Sequence, residues 1–444
     1  MSKLTITTEQ RKVSGPSANQ YSLVRLAGFV DAPNYMQFET SLEKLVRLGK
    51  PYMVLDFHDV EYINSTGISA VIRFHGQLAE RGGALILVQV SRNVGLTMHL
   101  LGVTNLVPFL KTLKESEDYI EGKLRDGLAG TGMVPGDGRA EATAAKGTAK
   151  ASAKSDGAKS AVAFVERPQK VSGSVVVAVP REGPFTKIFR SRIQRSDGRY
   201  QLFHSLIDLK AQIDNVDPDL IVIDARLPAA SEFVEYLKSD TRHSLASVLM
   251  LYGKDSSDLN HIRGFKVWEN DYLQDPFDLM NLFMLAESEL RRVPRDRRLF
   301  AQQVKFQFDS SRPAVERGLK LADRLIRKLQ LGDTETTALF AALKEGIDNA
   351  VLHGNKHDMA RTVTVNYVVD PKKATFLIED EGTGFDYEFY MSKMDSQEAF
   401  ERAKQRIRDG GRGGLGILLM YKCTDRLEYS NEGRVLRIEK NLKG

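Results

Sequence analysis

Cysteine is almost missing from this 444-residue chain: Cys423 stands alone, so no disulfide can form within it. Its stability must come from buried apolar surface, and a reducing, cytoplasmic setting is expected. Long apolar runs are missing too. No stretch approaches the roughly 18 consecutive apolar residues of a spanning helix, and the opening MSKLTITTEQRKV has no apolar centre of a secretory signal. Membrane insertion and secretion are therefore not expected. Nor is there a strong excess of one charge, since 63 basic residues face 58 acidic ones for a net of +5. Despite a pI near 9.0, that balance gives no reason to expect nucleic-acid binding.

What is present is ordinary globular composition, 42% hydrophobic and 27% charged, at a length suited to about three domains. One segment departs from it. Residues 127–160 contain no aromatic and almost no large aliphatic side chain, and with nothing to bury they read as a flexible tether. Their lysines can also be read as a nucleic-acid tail, but a solvated linker accounts for them. A further boundary is expected in the charged run 291–298, where a helix should stop at Pro294. The division is then 1–120, a linker over 121–172, 173–295 and 296–444. The fold class is α/β throughout.

In the first block, strands are expected at 21–26, 52–57 and 84–89, and helices at 65–81 and 94–101. The sequence Asn64-Ser65-Thr66-Gly67 opens the first of these helices. A phosphate there would meet unpaired N–H groups and the positive end of the helix dipole, although any of Asn64, Ser65 or Thr66 can also simply cap the helix. With Leu26-Ala27-Gly28-Phe29-Val30-Asp31 upstream, the pattern resembles the STAS domains of bacterial anti-sigma factor antagonists. The resemblance implies that a partner kinase phosphorylates the hydroxyl residue of this turn, Ser65 first and Thr66 next. Asn64 departs from the aspartate usual in that family.

The second block carries strand-like 174–179, 219–223 and 247–251 between helical segments, which implies a doubly wound, flavodoxin-like parallel sheet. The stretches 217–228 and 270–277 resemble a response-regulator receiver domain, with Asp224 at the phosphoacceptor position. The remainder of that site is absent. Pro180-Arg181 stand where an acidic pair would hold a divalent cation, with Glu182 beside them, and Asp275 replaces the usual lysine. The block therefore reads as a pseudo-receiver used for docking or spacing, with Asp224 a degenerate remnant.

The third block has three elements that combine. On a helix expected over 334–353, Glu345 and Asn349 share one face with His353. A carboxylate there can accept a proton from an attacking hydroxyl while an amide oxygen ligates magnesium. Asp380-Glu381-Gly382-Thr383-Gly384 follows a strand over 374–379, so that a carboxylate can meet an exocyclic amine where glycine lets the backbone approach a flat ring. Gly410-Gly411-Arg412-Gly413-Gly414-Leu415-Gly416 opens a helix and offers successive N–H groups to phosphate. Singly, these read as a solvated helix face, a turn and a glycine hinge.

Together, in order and spacing, they resemble the Bergerat-fold α/β sandwich of the GHKL ATPases, and most closely the anti-sigma factor serine kinases. That resemblance implies Mg2+ on Asn349 and adenine on Asp380, with Gly382 and Gly384 at the nucleotide edge. It also implies phosphates on Gly411, Arg412, Gly413, Gly414 and Gly416, Glu345 as catalytic base, and a lid over 387–409. ATP and Mg2+ are thus the expected ligands. The expected activity is transfer to a STAS serine or threonine, in this chain or another, with a sigma factor or other regulator as output and a homodimer left open. Two other readings remain: an ATP-binding scaffold that only sequesters its partner, and a sensor histidine kinase relative. The scaffold leaves Glu345 without a task. The histidine kinase lacks a histidine in the helix at 278–292.

Overall fold

The computed structural model describes residues 4–13, 20–30, 34–101, 103–129, 173–254, 256, 259, 262–391 and 415–442. The first block runs β1 (Thr5–Lys12), β2 (Gln20–Val30), α1 (Tyr35–Arg47), β3 (Tyr52–Ile63), α2 (Ser65–Ala79), β4 (Ala84–Val88), α3 (Arg92–Leu100), β5 (Phe109–Leu110) and α4 (Leu113–Ala129). Its sheet has the order β1-β2-β3-β4-β5, parallel except for the β1–β2 pair. The apolar first half of β3 makes it a central strand, as its composition predicts. Ile120 of α4 is buried against Tyr21, Val54 and Ile86, so the helix continues past residue 120 into the segment assigned to the linker. Residues 130–172, the remainder of that assignment, lie outside the described residues.

The second block consists of β6 (Ser174–Ala178), α5 (Pro184–Arg195), β7 (Arg199–Phe203), α6 (Leu206–Val216), β8 (Leu220–Asp224), α7 (Ala230–Ser239), β9 (Ser247–Tyr252), β10 (Phe265–Val267), β11 (Asp271–Gln274) and α8 (Leu279–Leu299). Five of these strands form a parallel sheet in the order β11-β9-β8-β6-β7. This is the flavodoxin-like order expected for alternating strands and helices, with an apolar core on each face.

β10 leaves this sheet and pairs antiparallel with β12 of the third block, Phe265 opposite Phe308. The break expected at Pro294 is also absent, because α8 runs through the proline to Leu299. Proline forfeits one helical hydrogen bond, yet Leu290 and Val293 are buried beside it. Beyond the proline, Arg297 reaches Asp219 at 2.9 Å and the Pro218 carbonyl at 3.0 Å. The 295/296 boundary therefore falls inside a helix, and the third block's sheet begins upstream of it.

The third block adds β12 (Gln302–Asp309), α9 (Arg312–Ile326), α10 (Asp333–Asn349), β13 (Thr362–Val369), β14 (Lys373–Asp380), α11 (Tyr387–Met391), α12 (Leu415–Cys423), β15 (Arg426–Ser430) and β16 (Val435–Asn441). The antiparallel sheet has the order β10-β12-β13-β14-β16-β15. Helices α9, α10 and α12 contribute Leu321, Leu343 and Leu419 to a core shared with Phe306 and Phe376 of the sheet, giving the expected α/β sandwich. That core does not stop at the block boundary. Ile68 and Val71 of α2 and Met98 of α3 belong to the same buried cluster, so the first and third blocks pack directly together.

Candidate functional site

The turn before α2 is held by Asn64. Its backbone is extended, its N–H donates to the Val30 carbonyl at 2.9 Å, and its Oδ1 accepts the Gly67 N–H at 2.9 Å. Asn64 is thus the cap, which leaves the Ser65 hydroxyl free for another partner. That partner is Glu345. Ser65 Oγ donates to Glu345 Oε1 at 2.5 Å, and Ser65 N donates to Oε2 at 3.3 Å. Both residues are buried. Thr66 is half-buried in the next position.

Gly416 near the start of α12 permits this approach. A Cβ there would lie 2.2 Å from Glu345 Oε1 and 3.1 Å from Ser65 Oγ. Burial pushes the Glu345 carboxyl up to about 7. The Ser65 hydrogen bond opposes this and Asp348 adds to it, while the Lys344 charge opposes it weakly. A carboxyl near 7, hydrogen-bonded to a hydroxyl, is poised to exchange a proton with it. Cys423, in the same helix as Gly416, is buried and its thiol is pushed up to about 12, which suits packing.

The end of α10 carries Asn349, half-buried, followed by a single π-helical turn, Ala350–Gly354. The wider turn brings Gly354 against Asp380 at the end of β14: a Cβ on Gly354 would lie 2.4 Å from the carboxylate carbon. Gly382 donates to Asp380 Oδ1 at 2.8 Å, and a Cβ on Gly382 would meet the Gly354 carbonyl at 2.3 Å. Gly384 has φ +75° and would meet the Glu432 carbonyl at 2.0 Å. Gly354 and Gly382 keep side chains away from Asp380, and burial raises its carboxyl. Gly411, Arg412, Gly413 and Gly414 lie outside the described residues, as does 392–409 of the expected lid.

Sequence reasoning passed over three contributors. Asn355, fully buried, accepts the Glu381 N–H at 2.9 Å and donates to the Thr362 carbonyl at 3.0 Å, locking the π turn to the Asp380 loop. Tyr429 on β15 lies in the field of both Glu345 and Asp380, and burial with those charges raises its phenol. Lys344 is buried beside Glu345. Asn355 directly follows the recognised His353-Gly354 pair, but nothing in the local pattern singles out Tyr429 or Lys344.

Among the described residues no group of three or more His, Cys, Asp or Glu is placed to hold a metal. A magnesium ion here would depend on the hard amide oxygen of Asn349 together with phosphates that arrive with it. In the second block, Asp224 is buried and gripped by Arg226, Nε to Oδ1 at 2.9 Å and Nη2 to Oδ2 at 2.6 Å. Glu182 pairs with Arg190 at 2.9 Å. Asp224 and Glu182 are thus each paired with a cation of the protein itself.

The chain carries two recognised domains. The family model of the histidine kinase-like ATPase domain matches residues 308–440, and that of the STAS domain matches residues 13–116. Serine-protein kinase RsbW from Listeria monocytogenes serotype 4a is 33% identical over 94 residues, covering 21% of this chain and 57% of that protein. The same protein from Listeria innocua gives the same figures. The chain thus spans little more than half the length of the curated relatives it matches. Among solved structures, an anti-sigma factor antagonist from Mycobacterium paratuberculosis aligns at 22% identity over 26% of this chain and 95% of that one, with a TM-score of 0.23. A chemotaxis response regulator from Vibrio cholerae aligns at 16% identity over 27% and 96%, with a TM-score of 0.21. No helix among the described residues is long and apolar enough to cross a membrane.

Proposed function

We propose that this chain is an ATP-dependent protein serine kinase of the partner-switching type and that Ser65 of its own STAS domain is a substrate. The observation that carries this reading is the 2.5 Å hydrogen bond from Ser65 Oγ to Glu345 Oε1, between residues 280 apart in sequence. A nucleophile and a base in hydrogen-bond contact are the first geometric requirement of a transfer site.

In this reading Glu345 accepts the Ser65 proton as Oγ attacks the terminal phosphorus of ATP, the bond from that phosphorus to the bridging oxygen breaks, and ADP leaves. Burial of both groups keeps bulk water from competing with serine. Asp380 would hold the adenine amine, with Gly354, Gly382 and Gly384 leaving room for the ring. Gly416 would complete a phosphate cradle with Gly411, Arg412, Gly413 and Gly414. Asn349 would hold Mg2+, which when bound offsets charge on the transferring phosphoryl group. The phosphorylated STAS face would then change its hold on a sigma factor or other regulator.

The test is incubation of the full chain with ATP and magnesium, followed by phosphosite mapping across a range of protein concentrations. One dominant site at Ser65, with a first-order rate independent of concentration, is the expected result, because tethering gives an effective concentration in the approximately millimolar range. A concentration-dependent rate would replace cis transfer by transfer between copies. Absence of serine label with ATP still bound would favour a scaffold, and acid-labile histidine label would favour a histidine kinase.

A further inference from the structure

Lys344 is an unusual neighbour for a transfer site. It is 2% exposed, yet its ammonium must be held in a region that excludes water. Two groups hold it. Asp348, one helical turn along α10, accepts from Nζ at 3.0 Å. The second is contributed by the STAS block: Nζ lies 4.1 Å from the centre of the Tyr62 ring, near the end of β3. Tyr62 is three residues before Ser65, and its ring also lies 6.4 Å from that of Phe29 on β2. The lysine therefore reaches across the domain boundary to the strand that delivers the serine.

We infer that Lys344 and Tyr62 form a recognition pair that seats the STAS turn on α10 and selects STAS domains bearing an aromatic ring at this position. The inference deepens the proposed kinase reading and rests on it for the word substrate, but the docking it describes can be measured without catalysis. The physical basis is the cost of a mismatch. A cation over an aromatic face is attracted by the ring quadrupole, most strongly where water is excluded. A STAS turn with an aliphatic residue in place of Tyr62 would bury the same ammonium against Asp348 alone. Lys344 is thus a positioning residue: it acts on Ser65 through Tyr62 and on Glu345 through charge.

The second effect follows from the groups that surround Glu345. Ser65 of α2 donates to it, Asp348 and Lys344 flank it on α10, and Tyr429 of β15 lies within its field. Lys344 is the cation of the set. Removing its charge leaves Asp348 uncompensated beside Glu345, so the carboxyl should hold its proton to higher pH.

The experiment uses the full chain with Lys344→Met, Lys344→Arg, Tyr62→Leu, Tyr62→Phe and the Met/Leu double variant. Two readouts are taken: hydrogen exchange of the amides of Ser65 to Gly67, and the pH profile of Ser65 labelling. Lys344→Met and Tyr62→Leu should each speed exchange of the turn by about tenfold, and the double variant by little more than either, because the cation–ring contact that joins the turn to α10 is lost in all three, while the Asp348 pair lost with Lys344 lies within α10. Tyr62→Phe and Lys344→Arg keep ring and charge and should restore protection. Lys344→Met should also move the acid limb of labelling to higher pH, which a purely structural loss would not do. Turn protection unchanged in both single variants, or effects that simply add in the double variant, would overturn the pair. Intact coupling in exchange with no label on Ser65 would instead refute the kinase reading and leave the docking pair standing.

Discussion

Replacing Glu345 by glutamine separates the two consequences of burying a carboxylate. Its carboxyl rises from 4.5 to about 7 on burial. At roughly 1.4 kcal/mol per pH unit, ionising it in the docked chain costs about 3 kcal/mol more than in water. A group that binds its proton more tightly in the folded state favours that state while protonated. Its contribution is complete below about 4.5 and is lost as pH climbs through about 7. Glutamine never ionises and keeps an oxygen for the Ser65 hydroxyl. The variant should match the wild-type chain near pH 4.5 and exceed it by up to about 3 kcal/mol at pH 8. Hydrogen exchange at the Gly346 and Ile347 amides, corrected for intrinsic rates, reads this locally and avoids treating a multidomain chain as two-state. The same substitution removes the proposed base, so Ser65 labelling should fall by roughly 10²- to 10⁴-fold. In the wild-type chain, labelling should climb about tenfold per pH unit toward 7 and then level. Equal stabilisation at both pH values, or undiminished labelling, would refute the assignment.

Other expectations follow from the same geometry. Ser65→Ala should abolish self-labelling while Thr66→Ala leaves it in place, as phosphopeptide mapping would report, because Ser65 is the hydroxyl that reaches Glu345. Gly416→Ala should slow transfer by roughly 10²-fold in single-turnover kinetics, since its methyl would sit 2.2 Å from Glu345 Oε1 and displace the base from the serine. Acetyl phosphate with magnesium should leave Asp224 unlabelled in intact-mass measurements. Its carboxylate is buried and engaged at both oxygens by Arg226.

The sequence was most legible where chemistry is local. The strand before Asp380, the helix bearing Glu345 and Asn349, and the turn at Ser65 are each set by periodicity and by residues with special backbone or capping roles, and each appears where the pattern predicts it. Asn64 shows the limit of that reading: three adjacent residues can each cap a helix, and only the hydrogen bond to Gly67 identifies the one that does. Contacts between blocks were illegible in principle. Ser65 and Glu345 meet because α2 and α3 complement α10 and α12, and surface complementarity over such sequence distances leaves no period or spacing to detect. Lys344 illustrates the same point, since next to Glu345 on a helix it resembles any solvated lysine until Tyr62 covers it. Pro294 misled for the opposite reason. The local rule was sound, but burial of Leu290 and Val293 holds the helix together through it.

The pairing of β10 with β12 makes the second block part of the third block's architecture rather than a bead on a tether. Gly264 accepts the Asp309 N–H at 3.0 Å and donates to its carboxylate at 2.7 Å, while Trp268 N–H donates to the Lys305 carbonyl at 2.8 Å. Phe265 lies 6.1 Å from Phe306 and beneath the Arg317 guanidinium, and Val267 is buried. A chain cut at residue 296 would lose this strand together with most of α8. That would uncover the edge of β12 and forfeit about 3 to 5 kcal/mol of apolar burial from Phe265 and Val267. Such a fragment should exchange the Asp309 amide rapidly and self-associate in sedimentation, whereas one beginning at 173 should remain protected and dispersed. Equal protection in the two fragments would mean that β10 contributes nothing to the sheet and that the second block is a passenger. If the longer fragment alone holds, the second block is needed to complete the sheet of the third. Covering the β12 edge and carrying α8 into β12 would then be the block's structural task, which does not require Asp224 to be phosphorylated.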